Sequence, residues 1–389
     1  MDTLAVATIL AALVLLASMA SVELGISVAI IEIALGVFAG NVLGITSTPW
    51  IDFLAAFAGI LLTFLAGAEV DPGLFRQRFR ESVVIGGLSF VIPFVAAGLF
   101  AYFVAGWDLR QSEIAGIALS TTSLAVVYAV LVETGLTNTE IGKVIMAATF
   151  VTDLGTATAL SVLFIQPTPF LALFVAVSVV VIVGMLVLQP WFFRRYGDRV
   201  IEPEIKGAFV VLFLLMWTAD LAKSQAVLPA FLLGLAVARV FQRHREQQKR
   251  FRVVAFSLLT PFFFLKGGMN VSLGALAGSL PLLGALFVVK IAAKFIGVYP
   301  ASLRWLRPHA TYTTLLMSTG LTFGTISSLY GLNAGIIDRT QFSVLITTVI
   351  LSAIVPTFLA QRFFSPPVSR LTTEQRESIE DEEFEPGIG

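Results

Sequence analysis

The sequence has no cysteine, only two histidines and few charged residues, which make up 13% of its 389 positions. Without cysteine there is no disulfide, no thiol nucleophile and no cysteine-ligated metal, and two histidines disfavour a histidine-based metal site. Acidic and basic residues number 25 each, and the net charge of +0 provides no general attraction for nucleic acid. We therefore expect no cofactor, no enzyme centre of these kinds and no nucleic-acid partner.

Hydrophobic residues, by contrast, make up 57% of the chain, and its mean hydropathy is +0.91. A soluble domain carries about 45–50% apolar and about 25% charged residues. A water-soluble fold has to cover its surface with polar groups, and this chain has too few of them. The composition predicts an integral membrane protein surrounded by lipid.

About thirteen apolar runs approach the roughly 20 residues that a helix needs to cross the hydrocarbon. Glycine, proline or charge closes each run, and Asp2 with no cationic start indicates that the first run is a span rather than a cleaved signal. The predicted spans are residues 3–21, 24–43, 50–70, 82–105, 112–133, 139–165, 168–192, 205–222, 225–241, 252–267, 281–300, 310–330 and 341–363.

Basic residues concentrate in the odd-numbered connections between these spans, as with Arg76, Arg78 and Arg80 in the third. The positive-inside rule places such connections in the cytoplasm. The prediction is a multi-pass protein of the cell (inner) membrane with its N-terminus outside and its C-terminus inside. Residues 366–389 are acidic and are predicted to form a disordered cytoplasmic tail.

Asp153 lies in the middle of the sixth span, in the segment TFVTDLGTATAL. An ionisable group at this depth costs several kcal/mol and indicates a functional site. Thr152, Thr156 and Thr158 add hydroxyl oxygens on nearby turns, and oxygen ligands suit a hard monovalent cation. We predict that Asp153 and Thr152 bind the transported ion; the alternative is a carboxylate paired with a lysine only to hold helices together.

Three further charges lie within predicted spans: Glu32 in the second span, and Lys290 and Lys294 in the eleventh. The lysines are four residues apart and therefore share one face of a helix. We predict that these three residues are supporting charges for the ion site at Asp153. Their spacing does not decide which of the two lysines lies in that site. Glu32 has an equally good interpretation as a helix-packing or gating residue.

Polar residues interrupt the fifth and the twelfth spans at mid-depth. Serine and threonine can bond back to the backbone of an intact helix. Glycine and hydroxyl groups also permit the helix to unwind, and unwound helices in corresponding halves indicate a transporter's binding site. The residues predicted at the two breaks are Ser120, Thr121, Thr122, Ser123, Thr319, Gly320, Thr322 and Gly324.

These positions correspond if the chain holds two inverted six-helix repeats. The first repeat would cover 1–166, with the broken helix 112–133 and the ion-site helix 139–165. Residues 167–203 would form the connecting helix. The second repeat would cover 204–365, with the lysine helix 281–300 and the broken helix 310–330. The predicted fold is thus an all-α polytopic membrane protein with about thirteen transmembrane helices and crossed broken helices.

Several segments resemble the monovalent cation:proton antiporters, in the branch of bacterial sodium/proton and potassium-efflux antiporters. The resemblance runs from about Glu32 to Pro356. It rests on IEIALGVFAGNVLG, TFLAGAEVDPGLFR, GIALSTTSLAVVYAVLVETG, LPAFLLGLAVAR, TPFFFLKGGMNVSL and AKFIG, in this order. AKFIG is similar to the family segment that bears an embedded lysine, which favours Lys294 over Lys290.

The resemblance implies a homodimer, elevator-like alternating access and an ion-binding role for Asp153. Many relatives with this lysine have a second acidic residue directly before the aspartate, where this chain has Thr152. With one carboxylate at this position, we expect one proton to be exchanged per cation without net charge movement.

The predicted function is therefore exchange of a monovalent cation, foremost Na+, for H+, with Asp153 as the site that both ions share. A K+/H+ antiporter stays open, because side-chain identity does not separate the two cations. A symporter for organic anions is the alternative of another class, although a lone buried aspartate does not suit it. A membrane enzyme would need paired acidic motifs, and a channel would need no competition between ions.

Overall fold

A computed structural model of the chain describes residues 2–24, 27–70, 72–137, 139–165, 167–196, 202–243 and 245–366. The described residues form helices and contain no β-strand. The helices are α1 (Thr3–Leu24), α2 (Val28–Asn41), α3 (Pro49–Ala68), α4 (Pro72–Gln77), α5 (Phe79–Phe103), α6 (Leu109–Ser120), α7 (Leu124–Glu133), α8 (Glu140–Leu163), α9 (Leu171–Tyr196), α10 (Pro203–Leu221), α11 (Val227–Arg243), α12 (Arg245–Val254), α13 (Thr260–Met269), α14 (Leu273–Gly278), α15 (Leu280–Trp305), α16 (Ala310–Met317), α17 (Thr322–Asn333) and α18 (Arg339–Leu359).

These helices occupy the thirteen predicted spans, which confirms the all-α polytopic fold class. By length and composition, nine helical segments of the described chain are able to cross a membrane, and Val28–Asn41 and Val227–Phe241 are shorter apolar helices. The tenth span is longer than predicted, since a π-helical turn at Ala255–Leu259 joins α12 to α13. The predicted acidic tail lies outside the described residues, except for Pro366.

Local sequence signals explain where several helices begin. Asp108 caps α6 and Asp338 caps α18, each in a reciprocal capping box with the glutamine three residues later. Such caps satisfy backbone N–H groups that a helix start leaves without partners. The two glutamines, Gln111 and Gln341, also share a hydrogen bond of 3.0 Å. This contact ties together the starts of α6 and α18.

The helices pack into two groups. The crossing bundle consists of α5–α8 and α15–α18, whose main packing partners all lie within that group. The scaffold bundle consists of α1–α3 and α9–α13, in which α2 packs on α13 and α3 packs on α11. The faces of α1 and α9 are mostly exposed and apolar, as lipid-facing helices require.

Glycines allow the scaffold helices to touch backbone to backbone. A Cβ atom at Gly36 of α2 would overlap a carbonyl oxygen of α13, and one at Gly268 of α13 would overlap a carbonyl oxygen of α2. The same reciprocal contact joins Gly67 of α3 and Gly234 of α11. Small residues at such crossings are typical of membrane helix packing. The assignment of two inverted repeats stays a prediction.

Both predicted breaks are present in the crossing bundle. Residues 121–123 separate α6 from α7, and residues 318–321 separate α16 from α17. The interruptions are shorter than the sequence predicted: Ser120 ends α6, while Thr322 and Gly324 belong to α17. Gly324 is needed for packing instead, because a Cβ there would press on Val349 of α18.

Candidate functional site

The two breaks lie against each other inside the crossing bundle. The backbone N–H of Ser123 donates to the carbonyl oxygen of Thr319 at 3.1 Å. The hydroxyl of Thr122 donates to the carbonyl oxygen of Met317 at 2.9 Å. Because an unwound helix leaves backbone groups without helical partners, each break supplies hydrogen bonds that the other needs.

Lys294 of α15 is held at this crossing. Its fully buried ammonium group donates to Ser89 Oγ at 2.8 Å, to the carbonyl oxygen of Ser120 at 2.7 Å and to Thr122 Oγ1 at 3.1 Å. Three acceptors match the three donors of an ammonium group. Ser120 ends α6, so the lysine also neutralises the negative end of that helix.

Lys290 lies one turn away on α15 and is also fully buried, but its surroundings differ. Its Nζ has no hydrogen-bond partner. It lies against Gly320 of the second break, where a Cβ atom would overlap it, and near Thr121 of the first. Both lysines therefore lie at the crossing, and only Lys294 is fully hydrogen-bonded.

A pocket of about 160 Å3 lies between the crossing bundle and the scaffold bundle. Asp153 of α8 is 2% exposed and lines this pocket, and its Oδ1 has no hydrogen-bond partner. Lys294 and Asp153 do not form an ion pair with each other. The carboxylate is therefore available to a cation or a proton that enters the pocket.

The starts of two half-helices also reach this pocket. Thr122 and Leu124 line it at the start of α7, and Thr322 lines it at the start of α17. The positive ends of these two helices therefore face the pocket that Asp153 lines. Hydroxyl oxygens such as those of Thr122 and Thr322 are ligands that suit a hard cation. The arrangement can hold one small cation beside one carboxylate.

Two carboxylates of the scaffold bundle line the same pocket, Glu32 of α2 and Glu69 at the end of α3. Glu69 forms an ion pair with Arg252 of α12, in which Glu69 Oε1 lies 3.5 Å from Arg252 Nε. The pocket lining that the structure describes includes no basic side chain. Since Ser27 and Glu69 flank the first and third connections, the pocket extends toward the side that the sequence predicts to be cytoplasmic.

The other predicted site residues are placed less directly. Thr152 does not line the pocket, because its hydroxyl donates to the carbonyl oxygens of Ala148 at 3.1 Å and Gly86 at 3.3 Å. Thr158 is exposed, and the hydroxyl of Thr156 bonds back to Thr152. None of these three side chains lines the pocket, and the role of Thr152 in binding the ion stays a prediction.

Sequence reasoning missed Ser89 of α5 and Arg252 of α12. Ser89 is one of two serines in the mostly apolar fourth span, a weak signal that acquires meaning only through its contact with Lys294. Arg252 is the first residue of the predicted tenth span, and the structure places it on α12, where it pairs with Glu69. Its guanidinium also lies 5.8 Å from the ring centroid of Phe256.

Comparison with known proteins gives consistent matches along the chain. The model of a family described as "Sodium/hydrogen exchanger, transmembrane" matches residues 8–364. A relative from Methanocaldococcus jannaschii, named "Probable Na(+)/H(+) antiporter 3", is 25% identical over 351 residues, covering 87% of this chain and 89% of the relative. The "Na(+)/H(+)-K(+) antiporter GerN" of Bacillus cereus is 23% identical over an alignment that covers 86% of this chain and 89% of the GerN chain.

Among solved structures, the sodium proton antiporter MjNhaP1 from Methanocaldococcus jannaschii at pH 8 matches with a TM-score of 0.71. The alignment covers 93% of this chain and 98% of that one, at 16% sequence identity. At this identity the likeness establishes the fold.

Proposed function

This chain belongs to the sodium/hydrogen exchanger family, and from that membership we propose that it exchanges Na+ for H+ through Asp153. Membership makes it a multi-pass membrane protein of a cation/proton antiporter family. The names of its relatives support Na+ as the cation, and the printed name of GerN adds K+ as the second candidate. The observation that carries the proposal is a buried carboxylate oxygen without a partner, facing a pocket between two helix bundles.

The exchange follows from competition for one carboxylate. Asp153 binds either a proton or a cation, and binding of one releases the other. Either loaded form is neutral, and the cost of moving it through a low-dielectric region is then far below that of a bare charge. Alternating access results when the crossing bundle moves against the scaffold bundle and turns Asp153 from one side of the membrane to the other.

Charge accounting supports a ratio of one proton per cation. Thr152, at the position directly before Asp153, has no charge, and Lys294 is held by three oxygen acceptors. Because oxygen acceptors use all three N–H donors of Lys294, the proposed cycle assigns this lysine no part in carrying a proton. Only Asp153 then exchanges a proton for a cation, and no net charge crosses the membrane.

The test is proton flux in proteoliposomes, followed with an internal pH-sensitive dye while Na+, Li+ or K+ is added in turn. We expect Na+ to drive proton movement, and Asp153→Asn to reduce the rate at least 100-fold with unchanged thermal stability. Asp220→Asn is the matched control, because Asp220 is exposed at the end of α10. Retained flux in Asp153→Asn contradicts the proposal.

Two further readouts sharpen it. A response to K+ with none to Na+ assigns the chain to K+/H+ exchange. An imposed membrane potential is expected to leave the initial Na+-driven rate unchanged within about twofold, because an electroneutral cycle moves no charge through the field. A steep voltage dependence excludes the ratio of one to one.

A further inference from the structure

The pocket presents three carboxylates, and they cannot act as one binding site. Glu69 lies at the end of α3, Glu32 lies within α2, and Asp153 lies within α8. In the described residues, no three acidic or histidine side chains are close enough together to hold one metal ion. A cation that enters this pocket therefore has more than one separate carboxylate within its reach.

Glu32 is the member of this set that packing does not explain. Its side chain is 2% exposed and lines the pocket at bilayer depth. It forms no ion pair and no side-chain hydrogen bond with the described residues, whereas Glu69 is paired with Arg252. A bare carboxylate is costly at this depth, so Glu32 has to carry either a proton or a cation. The pocket gives both ions access to it.

The two bundles also differ in which carboxylate they carry. Asp153 belongs to the crossing bundle, and Glu32 belongs to the scaffold bundle, where α2 is locked to α13 through the Gly36–Gly268 contact. If the crossing bundle moves during transport, Asp153 leaves this pocket and Glu32 does not. Glu32 can therefore serve Asp153 on one side of the membrane only.

We infer that Glu32 is a relay carboxylate that acts on one side of the membrane only. It passes the cation between Asp153 and the pocket mouth, which is the end of the pocket at Ser27 and Glu69. The cation first replaces the proton on Glu32, and that proton leaves through the mouth. The cation then moves to Asp153 while the proton of Asp153 moves to Glu32. Each step exchanges one proton for one cation between carboxylates, so charge is balanced throughout. This inference rests on the proposed function of Asp153 and adds a second binding site for the same monovalent cation.

The experiment compares the two sides of the membrane in everted and right-side-out vesicles. Because the chain has no cysteine, a single Glu23→Cys substitution and a membrane-impermeant maleimide identify the vesicles that expose the mouth. Glu23 is exposed at the end of α1, next to the connection that leads to Ser27 at the pocket. The measured quantity is the Na+ concentration on the outer face of the vesicle that gives half-maximal exchange.

For Glu32→Gln we expect this concentration to rise at least tenfold on the mouth side and less than twofold on the opposite side. Glu32→Asp retains a carboxylate and is expected to recover at least half of the shift on a logarithmic scale. The Glu23→Cys chain with Glu32 intact has lost the same charge outside the pocket and is the matched control, with no shift expected from the unsubstituted chain.

Equal shifts on both sides, or no shift on either, overturn the inference. Complete loss of exchange in folded Glu32→Gln also overturns it, because Glu32 would then belong to the moving site itself. If Glu32→Gln does not fold, Glu32→Asp decides the matter through a smaller shift confined to the mouth side. Failure of the proposed function is seen separately, as retained exchange in Asp153→Asn with Glu32 intact.

Discussion

The crossing bundle and the scaffold bundle border the same pocket, but different interactions hold their interiors together. In the crossing bundle, Lys294 joins α5, α6 and α15 through hydrogen bonds at the first break. In the scaffold bundle, reciprocal glycine contacts bring backbones together, and aromatic rings such as Phe57 and Phe213 stack with centroids 4.3 Å apart.

The difference assigns separate tasks to the two bundles. Hydrogen bonds to a buried ammonium orient polar groups and hold charge inside the membrane, as an ion site requires. Backbone contacts through glycine leave little room for adjustment, as a fixed frame requires. The variants below test whether the two bundles depend on these interactions, in order of decreasing effect.

The largest effect is expected for Lys294→Met in the crossing bundle. The substitution leaves Ser89 Oγ and the carbonyl oxygen of Ser120 without their donor inside the membrane. We expect a loss of about 3 kcal/mol in stability, together with loss of exchange. Thermal unfolding in detergent and the dye assay measure the two. An unchanged stability would show that the hydrogen bonds at the crossing contribute little.

The scaffold bundle is tested by Gly67→Ala. The new Cβ atom overlaps the backbone carbonyl of Phe231 on α11, so the helices have to separate. We expect a loss of about 2 kcal/mol in stability, with the Na+ dependence of the remaining folded protein unchanged. Gly184→Ala on α9 is the matched control, since a Cβ atom there meets nothing within 4 Å. Equal losses in both variants would argue against the close contact.

A smaller effect is expected at the pocket mouth from Arg252→Gln. The ion pair with Glu69 is partly exposed, with 44% of the arginine side chain accessible. Pairs of this kind contribute at most about 1 kcal/mol and weaken with salt. We expect a stability change below that value that disappears in concentrated salt. A larger, salt-independent loss would indicate that the pair holds α12 to α3 structurally.

The smallest effect is expected for Lys290→Met, which makes the sharpest contrast with Lys294→Met. Both changes remove a buried ammonium from α15, but only Lys294 has hydrogen-bond partners. Replacing an unpartnered polar group by an apolar one of similar length should change stability by less than about 1 kcal/mol, or increase it. A loss as large as that of Lys294→Met would contradict the assigned difference between the two lysines.

Much of the fold was predictable because hydropathy is a local property. The thirteen apolar spans followed from composition along the chain, and the breaks in the fifth and twelfth spans followed from clustered hydroxyls and glycines. The ends of the breaks were less predictable: Thr322 and Gly324 continue the helix α17. A helix can unwind at a serine or threonine, or it can continue while the hydroxyl bonds to the backbone of the same helix. Which of the two occurs depends on the hydrogen-bond partners that neighbouring helices supply.

The candidate site was predictable in its parts and not in its assembly. Asp153, Glu32 and the two lysines stood out as charges in apolar spans. Their order along the chain did not reveal that Glu32 shares a pocket with Asp153, or that the hydroxyl of Thr152 bonds to α5 instead. Which way a side chain points depends on the rotation of its helix, and neighbouring helices set that rotation.

The sequence by itself determined that the chain lies in lipid, roughly where it crosses, and which few charges are buried there, because each of these depends on the energy of placing residues in hydrocarbon. Only the tertiary structure decided that Lys294 is fully hydrogen-bonded while Lys290 is not, and that Asp153 and Glu32 border one pocket from two different bundles. Those outcomes depend on contacts between segments far apart in the chain, and a one-dimensional pattern contains no record of them.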